Sequence, residues 1–284
     1  MDKFFEKIFE EGKVIDEIMS ADQLMDPLTD EEKHSHETAT SCKTCNLPFD
    51  AYRVRVRHHN HVSGKYLFTV CQDCNLALKP KTCPEGYEVV CLFHNLKCYD
   101  EHFIMKHFKR EYTEYVSQKT GNTSYHDIQI IPLNAEKNLQ FRIKNVVFTD
   151  SYEFLAASLD TRVQTLKKSE KSRFVETLKH LGDRDFLLEK GHFCYDYFDS
   201  LDRLEEPRLP LKSAFFNSMT QTPISDSDFE QAERIWQHCK MTKFAHYHDH
   251  YLIRNVLLLA NCIESFRQDT IREHGIDCLH FPAH

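Results

Sequence analysis

Two cysteine pairs near the N-terminal end of the chain have the spacing of metal ligands. Two CxxC motifs are separated by twenty-five residues. Thiolates on two such knuckles can occupy the corners of one tetrahedron, which is the geometry that structural Zn²⁺ prefers. The predicted zinc ligands are Cys42, Cys45, Cys71 and Cys74.

Polar residues around the second cysteine pair could give this metal scaffold a catalytic function. His58, His59 and His61 precede the pair, and Asn75 follows it directly. A neutral histidine can deprotonate water, and an amide or carboxylate can hold Mg²⁺ against a phosphate. Two interpretations remain open: a nuclease site on the zinc scaffold, or a structural zinc hairpin with basic residues on its surface.

The elements that would position these residues follow from hydrophobic periodicity. Apolar residues predict a helix over 3–19, and the capping-box spacing of Thr29 and Glu32 predicts the start of a second one. Alternating segments at Arg53–Arg57 and Tyr66–Val70 predict two strands, and the second CxxC is expected to open a short helix.

A turn-rich stretch that begins at Lys79-Pro80 predicts a boundary. The expected organisation is N-terminal helices in residues 1–40, a zinc unit in residues 41–80 and a mixed α/β domain in residues 86–284. In that last domain we predict strands at 88–93, 128–133, 139–143 and 146–148, and helices at 101–108, 150–166, 226–239 and 245–273.

Composition limits the classes of function. The net charge of −8 argues against a general polyanion binder, although nucleic-acid enzymes concentrate positive charge locally. The eleven cysteines come without a recognisable signal peptide, which favours a reducing, intracellular compartment, nuclear or cytoplasmic, over secretion. The longest aliphatic run, Val256–Ala260, is too short to span a bilayer, so no membrane association is expected.

Two further motifs each allow two interpretations. Asp100 follows a predicted strand, and it could cap a helix or hold a catalytic metal. Tyr251 and Asn255 are four residues apart, so they share one face of a predicted helix. That helix could orient water and a metal, or it could be an ordinary amphipathic core helix.

Taken in order, these segments resemble one family over roughly residues 3–282. It is the protein-primed family B DNA polymerase of Maverick/Polinton-type transposons and related viruses. In that family an endonuclease VII-like zinc unit is inserted in the 3′–5′ exonuclease domain. The landmarks are the zinc unit ending in Cys74–Leu76, Phe93–Lys97 with Tyr99-Asp100, Phe148–Ser151, Ser158–Asp160, Tyr195–Ser200, Leu209-Pro210, Ile224–Asp226 and Tyr247–Ala260.

The zinc unit resembles the treble-clef HNH unit of endonuclease VII-like nucleases. The resemblance implies that His59 is the general base and that Asn75 holds the metal. His58 stands where the family has a metal-holding aspartate, and Asn60 stands where it has a second acidic residue. Histidine is a poor ligand for Mg²⁺, so this nuclease activity is expected to be weakened or lost.

The exonuclease motifs are matched in part. The resemblance maps the family's second motif onto Asn95, Tyr99 and Asp100, all intact. It maps the third motif onto Tyr251 and Asn255, where an amide replaces the metal-binding aspartate. We therefore expect Mg²⁺ to bind weakly. We also expect Asn95, Asp100, Tyr251 and Asn255 to line one cleft.

A further family motif contacts single-stranded DNA and the priming protein. The resemblance maps it onto Ser158 and Leu159, with Arg162 in place of its final hydrophobic residue. The partners implied for this chain are therefore DNA, as single strands or 3′ ends, and a priming protein.

The expected fold is α/β: a partial ribonuclease H-like exonuclease domain, lacking its first strands, with the zinc treble clef ahead of it. On the resemblance, the first exonuclease motif is expected upstream of residue 1 and the polymerase palm downstream of His284. We therefore interpret the chain as a catalytically inactive relic or a piece of a split gene. Two alternatives remain: an HNH endonuclease using His59 and Asn75, and a non-catalytic nucleic-acid- or protein-binding module with basic segments at Arg53–Arg57 and Lys167–Arg173.

Overall fold

The computed structural model describes residues 2–21, 23–78, 82–83, 86–107, 128–134, 138–274 and 277–280. The chain divides into two compact units, Met1–Asp150 and Ser151–His284. This division runs through the region 86–284, which the sequence assigned to one domain. Within the described ranges, no helix combines the length and the apolar character needed to cross a membrane.

The first unit begins with helix α1 (Asp2–Ser20), which agrees with the predicted helix over 3–19. Phe5 is buried in a cluster that also contains side chains of the first unit's main sheet, and Phe4, Ile8 and Phe9 pack against that cluster. The apolar face of α1 therefore covers the sheet.

Helix α2 (Asp30–Thr38) has the predicted capping box. The Thr29 hydroxyl accepts the Glu32 N–H at 3.2 Å, and the Glu32 carboxylate accepts the Thr29 N–H at 2.8 Å. Two N–H groups that would lack helical partners are thereby satisfied, which explains why the helix starts there.

The segment predicted to bind zinc, called the zinc unit below, is a hairpin followed by a short helix. Strand β1 (Arg55–His59) pairs antiparallel with β2 (Tyr66–Cys71), and α3 (Gln72–Ala77) follows without a linker. The first strand starts two residues later than predicted. The reason is a turn in which the Asp50 carboxylate accepts the N–H groups of residues 52 and 53.

The main sheet of the first unit has four strands. In the order in which they pair, they are β5 (Val89–Phe93), β8 (Val146–Asp150), β7 (Asn138–Ile143) and β6 (Ile128–Pro132), and only β5 and β8 are parallel among these pairs. Phe93, the last residue of β5, lies opposite Asp150, the last residue of β8. Two short strands, β3 (Thr82–Cys83) and β4 (Gly86–Tyr87), pair with each other in a separate sheet.

One predicted helix is observed as expected, and another begins later than predicted. Residues 100–107 are helical and form α4, in agreement with the predicted helix at 101–108, whose last residue lies outside the described ranges. The predicted helix at 150–166 is wrong in its first half. Pairing with β5 carries β8 through Asp150, and α5 (Leu159–Ser169) begins only where Ser158 caps its first turn.

The second unit is helical. Its helices are α5, α6 (Val175–Leu181), α7 (Asp226–His238) and the 31-residue α8 (Phe244–His274). Helix α6 lies in a stretch where weak periodicity gave no prediction. Helix α8 contributes Leu258 to one buried cluster and Phe244 to another, so it joins both cores of the unit. The mixed α/β class is confirmed, and the ribonuclease H-like topology stays a prediction.

Candidate metal centre and strand-edge site

The four predicted zinc ligands lie together. Their sulfur atoms are all within 4.8 Å of one another. Sulfurs around a tetrahedral zinc are about 3.8 Å apart, given Zn–S bonds of about 2.3 Å. Cys71 ends β2 and Cys74 lies in α3, while Cys42 and Cys45 bracket a turn whose first cysteine is fully buried. The cluster could therefore hold a metal ion such as zinc.

The pKa values of two thiols in the cluster are shifted in opposite directions. Burial acts to raise the pKa of Cys42, but N–H groups of three neighbouring residues outweigh it and lower the pKa to about 6. Burial and the surrounding thiols raise the pKa of Cys74 to about 12. Four adjacent thiolates repel one another, so they can ionise together only around a cation.

Beside this cluster, His58 and Asn75 are in direct contact. The Nδ1 atom of buried His58 lies 2.8 Å from Oδ1 of Asn75, so His58 Nδ1–H donates to the amide oxygen. The hairpin and α3 therefore bring together the two residues that the resemblance maps onto metal-holding positions of the HNH unit.

The predicted general base follows an irregularity in the hairpin. The strand register shifts between His58 and His59, and His59 lies opposite Tyr66. The His59 ring is half-buried, and its centroid is 4.4 Å from that of His61. Successive residues of a strand face opposite sides of it, and the neighbour that contacts Asn75 is His58.

A second polar group lies at one edge of the main sheet. Asn95 adopts a left-handed conformation (φ 70°, ψ 36°) just after β5, and Asp100 follows a short 3₁₀ turn (Leu96–Cys98). Oδ1 of Asp150 accepts the Asn95 N–H at 2.7 Å, and Oδ2 accepts the Lys97 N–H at 3.4 Å. The parallel pair β5 and β8 therefore brings the second motif to the end of β8.

The surroundings of Asp100 shift its pKa although much of its surface is exposed. Partial desolvation raises the pKa of Asp100; its own backbone N–H opposes the change, and the charge of Asp150 adds to it. A like charge nearby disfavours ionisation, so the two carboxyl groups belong to one electrostatic group.

Tyr251 of the third motif is held by two aromatic residues. Tyr251 is buried, its hydroxyl bonds with the hydroxyl of the exposed Tyr195, and its ring stacks on Phe193 with centroids 5.0 Å apart. The phenol that the resemblance assigns to water positioning is therefore already engaged. Tyr195 lies in one of the landmark segments, but nothing in the spacing of the sequence indicated that it would contact Tyr251.

The neighbours of Tyr251 on α8 carry buried polar atoms without partners. In the described part of the chain, Asn255 Oδ1, Arg254 Nε and His250 Nε2 are buried and make no hydrogen bond. The Arg254 side chain is 1% exposed, and its Nη1 donates to the Phe186 carbonyl at 3.4 Å. Burial lowers the pKa of Arg254.

The predicted DNA-contacting pair has a local structural role. The Ser158 hydroxyl caps α5 by accepting the Thr161 N–H at 3.2 Å. Leu159, the first residue of α5, packs against a buried cluster of the second unit. Ser158 remains exposed, so capping and DNA contact are compatible.

No protein-family model, curated protein or solved structure matches the chain. The resemblance to family B polymerases therefore stays a hypothesis drawn from sequence motifs. Asn95 and Asp100 lie in the first unit, and Tyr251 and Asn255 lie in the second, so their meeting in one cleft also stays a prediction. Asp150 is the site residue that sequence reasoning missed.

Proposed function

We propose that this chain is the exonuclease region of a protein-primed family B DNA polymerase, and that it binds single-stranded DNA without hydrolysing it. The observation that carries the proposal is the edge formed by the parallel strands β5 and β8. The Asn95–Asp100 motif and Asp150 lie together there. The carboxyl ends of parallel strands are common ligand-binding sites in α/β proteins.

The absence of hydrolysis follows from the charges. Exonuclease action by two metal ions needs several free carboxylates. Asp150 uses both of its oxygens to hold the backbone, and position 255 supplies an amide. Asp100 alone is a weak ligand set for Mg²⁺, an ion that dehydrates reluctantly.

The zinc unit serves as a scaffold in this proposal. Four thiolate ligands close the coordination sphere of zinc and leave no position for water or substrate. Residues 41–78 contain five basic and two acidic residues in a chain of net charge −8. Exposed Arg57 and Lys65 on the hairpin give DNA phosphates a local contact, so binding should weaken as salt rises.

Fluorescence anisotropy with a labelled single-stranded oligonucleotide tests the binding, and gel analysis of the same oligonucleotide with Mg²⁺ or Mn²⁺ tests the chemistry. We expect salt-dependent binding and an oligonucleotide of unchanged length, also for Asn255→Asp. Metal-dependent shortening that Asp100→Ala abolishes would show that the site is catalytic. No binding at low salt would refute the DNA-binding part.

A second candidate function is an HNH-type endonuclease, favoured by the contact between His58 and Asn75. Imidazole suits transition metals better than Mg²⁺, so this activity would require an ion such as Mn²⁺. Nicking of supercoiled plasmid by the zinc-loaded chain, lost in His59→Ala and kept in His61→Ala, would support it over the first proposal.

A further inference from the structure

Asp150 connects two strand ends through its side chain. It is the last residue of β8 and only 1% exposed. Its two carboxylate oxygens accept N–H groups from Asn95 and Lys97, which stand on either side of Leu96. A buried carboxylate needs such partners, and backbone N–H groups in a turn need acceptors, so each satisfies the other.

The turn that Asp150 holds has an unfavourable backbone. Asn95 has φ 70°, a left-handed conformation that is uncommon outside glycine, although asparagine adopts it more readily than most residues. Such a conformation persists where surrounding contacts impose it. The Asn95 N–H···Oδ1 bond at 2.7 Å is a contact of that kind, and the chain enters α4 at Asp100 directly after this turn.

We infer that Asp150 is a positioning residue of the strand-edge site: its carboxylate fixes the turn from Asn95 to Asp100 and thereby sets where both side chains lie. The effect on DNA binding rests on the proposed function. The effects on the turn and on Asp100 do not.

Three variants of the zinc-loaded full chain test this inference. Asp150→Ala removes both acceptors. Asp150→Asn keeps one acceptor oxygen and removes the charge. Glu88→Gln is the matched control, because Glu88 is a partly buried carboxylate that pairs with Arg142 away from the turn.

The readouts are the amide NMR shifts of Asn95 and Lys97, the pKa of Asp100 from ¹³C titration, and the affinity for single-stranded DNA. In Asp150→Ala both amide signals should move upfield, the pKa of Asp100 should fall, and affinity should drop roughly tenfold, the size expected for a lost hydrogen bond to a charged group.

In Asp150→Asn the Asn95 amide and most of the affinity should be kept, while the pKa of Asp100 still falls because the negative charge is gone. A merely structural role would not separate these two readouts. Glu88→Gln should leave all of them unchanged.

Unchanged amides and an unchanged Asp100 in folded Asp150→Ala would overturn the inference. If that variant does not fold, Asp150→Asn decides: it keeps only one acceptor oxygen, so unchanged amide shifts of both Asn95 and Lys97 in it would overturn the inference as well. If the wild-type chain binds no DNA but the amides and the Asp100 pKa respond as expected, the proposed function fails and the positioning role stands.

Discussion

Gly191 offers a direct test of how the second unit packs around Arg254. A Cβ atom at Gly191 would lie 2.0 Å from Nη2 of Arg254 and 2.9 Å from Cδ2 of Tyr251. Gly191 does not have a positive φ, so its replacement by alanine brings no backbone strain. The effect of Gly191→Ala therefore measures this contact.

The expected cost follows from the burial of both neighbours. A guanidinium that is 1% exposed and a tyrosine that is 6% exposed have little room to move. Overpacking of this kind costs about 1–3 kcal/mol of unfolding free energy. For a unit of this size, that corresponds to a melting temperature lowered by about 4–12 °C.

The fluorescence of Trp236 reports the second unit selectively, because Trp236 is the one tryptophan of the chain and packs against a core cluster of that unit. Gly12→Ala is the matched control. Its added Cβ would meet only Asn145 at 3.5 Å, in the first unit, and alanine favours the helix. The control should leave the Trp236 transition unchanged.

The double variant Gly191→Ala/Arg254→Met separates the two clashes. Methionine removes the guanidinium, so the double variant should lose less stability than the sum of the single changes. If the unfolding free energy of Gly191→Ala is within about 0.5 kcal/mol of the wild-type value, Arg254 does not pack against Gly191 and the predicted clash is wrong.

Three further outcomes are expected. Elemental analysis of the wild type should give about one zinc per chain. Cys71→Ser should lose that metal and unfold the zinc unit, whereas the variant of an exposed cysteine, Cys239→Ser, should keep the metal. Full metal content in Cys71→Ser would contradict the assignment. Burial, and after it two nearby positive groups, lower the pKa of His250 from 6.5 to about 4. The neutral form of His250 therefore stabilises the fold fully above pH 6.5, and this stability is lost as the pH falls through 4. His250→Gln should flatten the acid side of a plot of melting temperature against pH, measured by Trp fluorescence, and exposed His180→Gln should not. Arg254→Met removes a buried charge with an unpaired Nε, so stability in urea should stay within about 1 kcal/mol or rise; a loss above about 3 kcal/mol would show that the charge has a partner.

The features that sequence predicted well are set by neighbours in the chain. The zinc ligands depend on two CxxC turns and one hairpin, so their spacing was sufficient to predict that Cys42 and Cys71 would meet. The start of α2 depends on a reciprocal bond between residues three apart. Such local signals survive in any tertiary context.

The features that sequence missed depend on pairing between distant segments. The parallel register that puts Phe93 opposite Asp150 joins residues far apart in the chain, and no periodicity within either strand reports it. Asp150 was therefore assigned to the start of a helix. The hydroxyl contact of Tyr195 with Tyr251 was missed for the same reason, because it depends on where a loop meets α8.

The polar residues of α8 give a physical reason why a single carboxylate should not restore metal binding. Among the described residues, the stretch 250–255 of this helix buries an unpaired acceptor on Asn255 and unpaired nitrogens on His250 and Arg254. An amide oxygen without a donor suits a cation, but a permanent guanidinium charge one residue away opposes one. Buried polar groups normally find partners, so three unpaired atoms in so short a stretch are unusual. Asn255→Asp would add one negative charge one residue from Arg254, and the positive charge of Arg254 would weaken the attraction of the site for a divalent ion. The charges on α8 are therefore in keeping with the proposal that the chain binds DNA without cutting it.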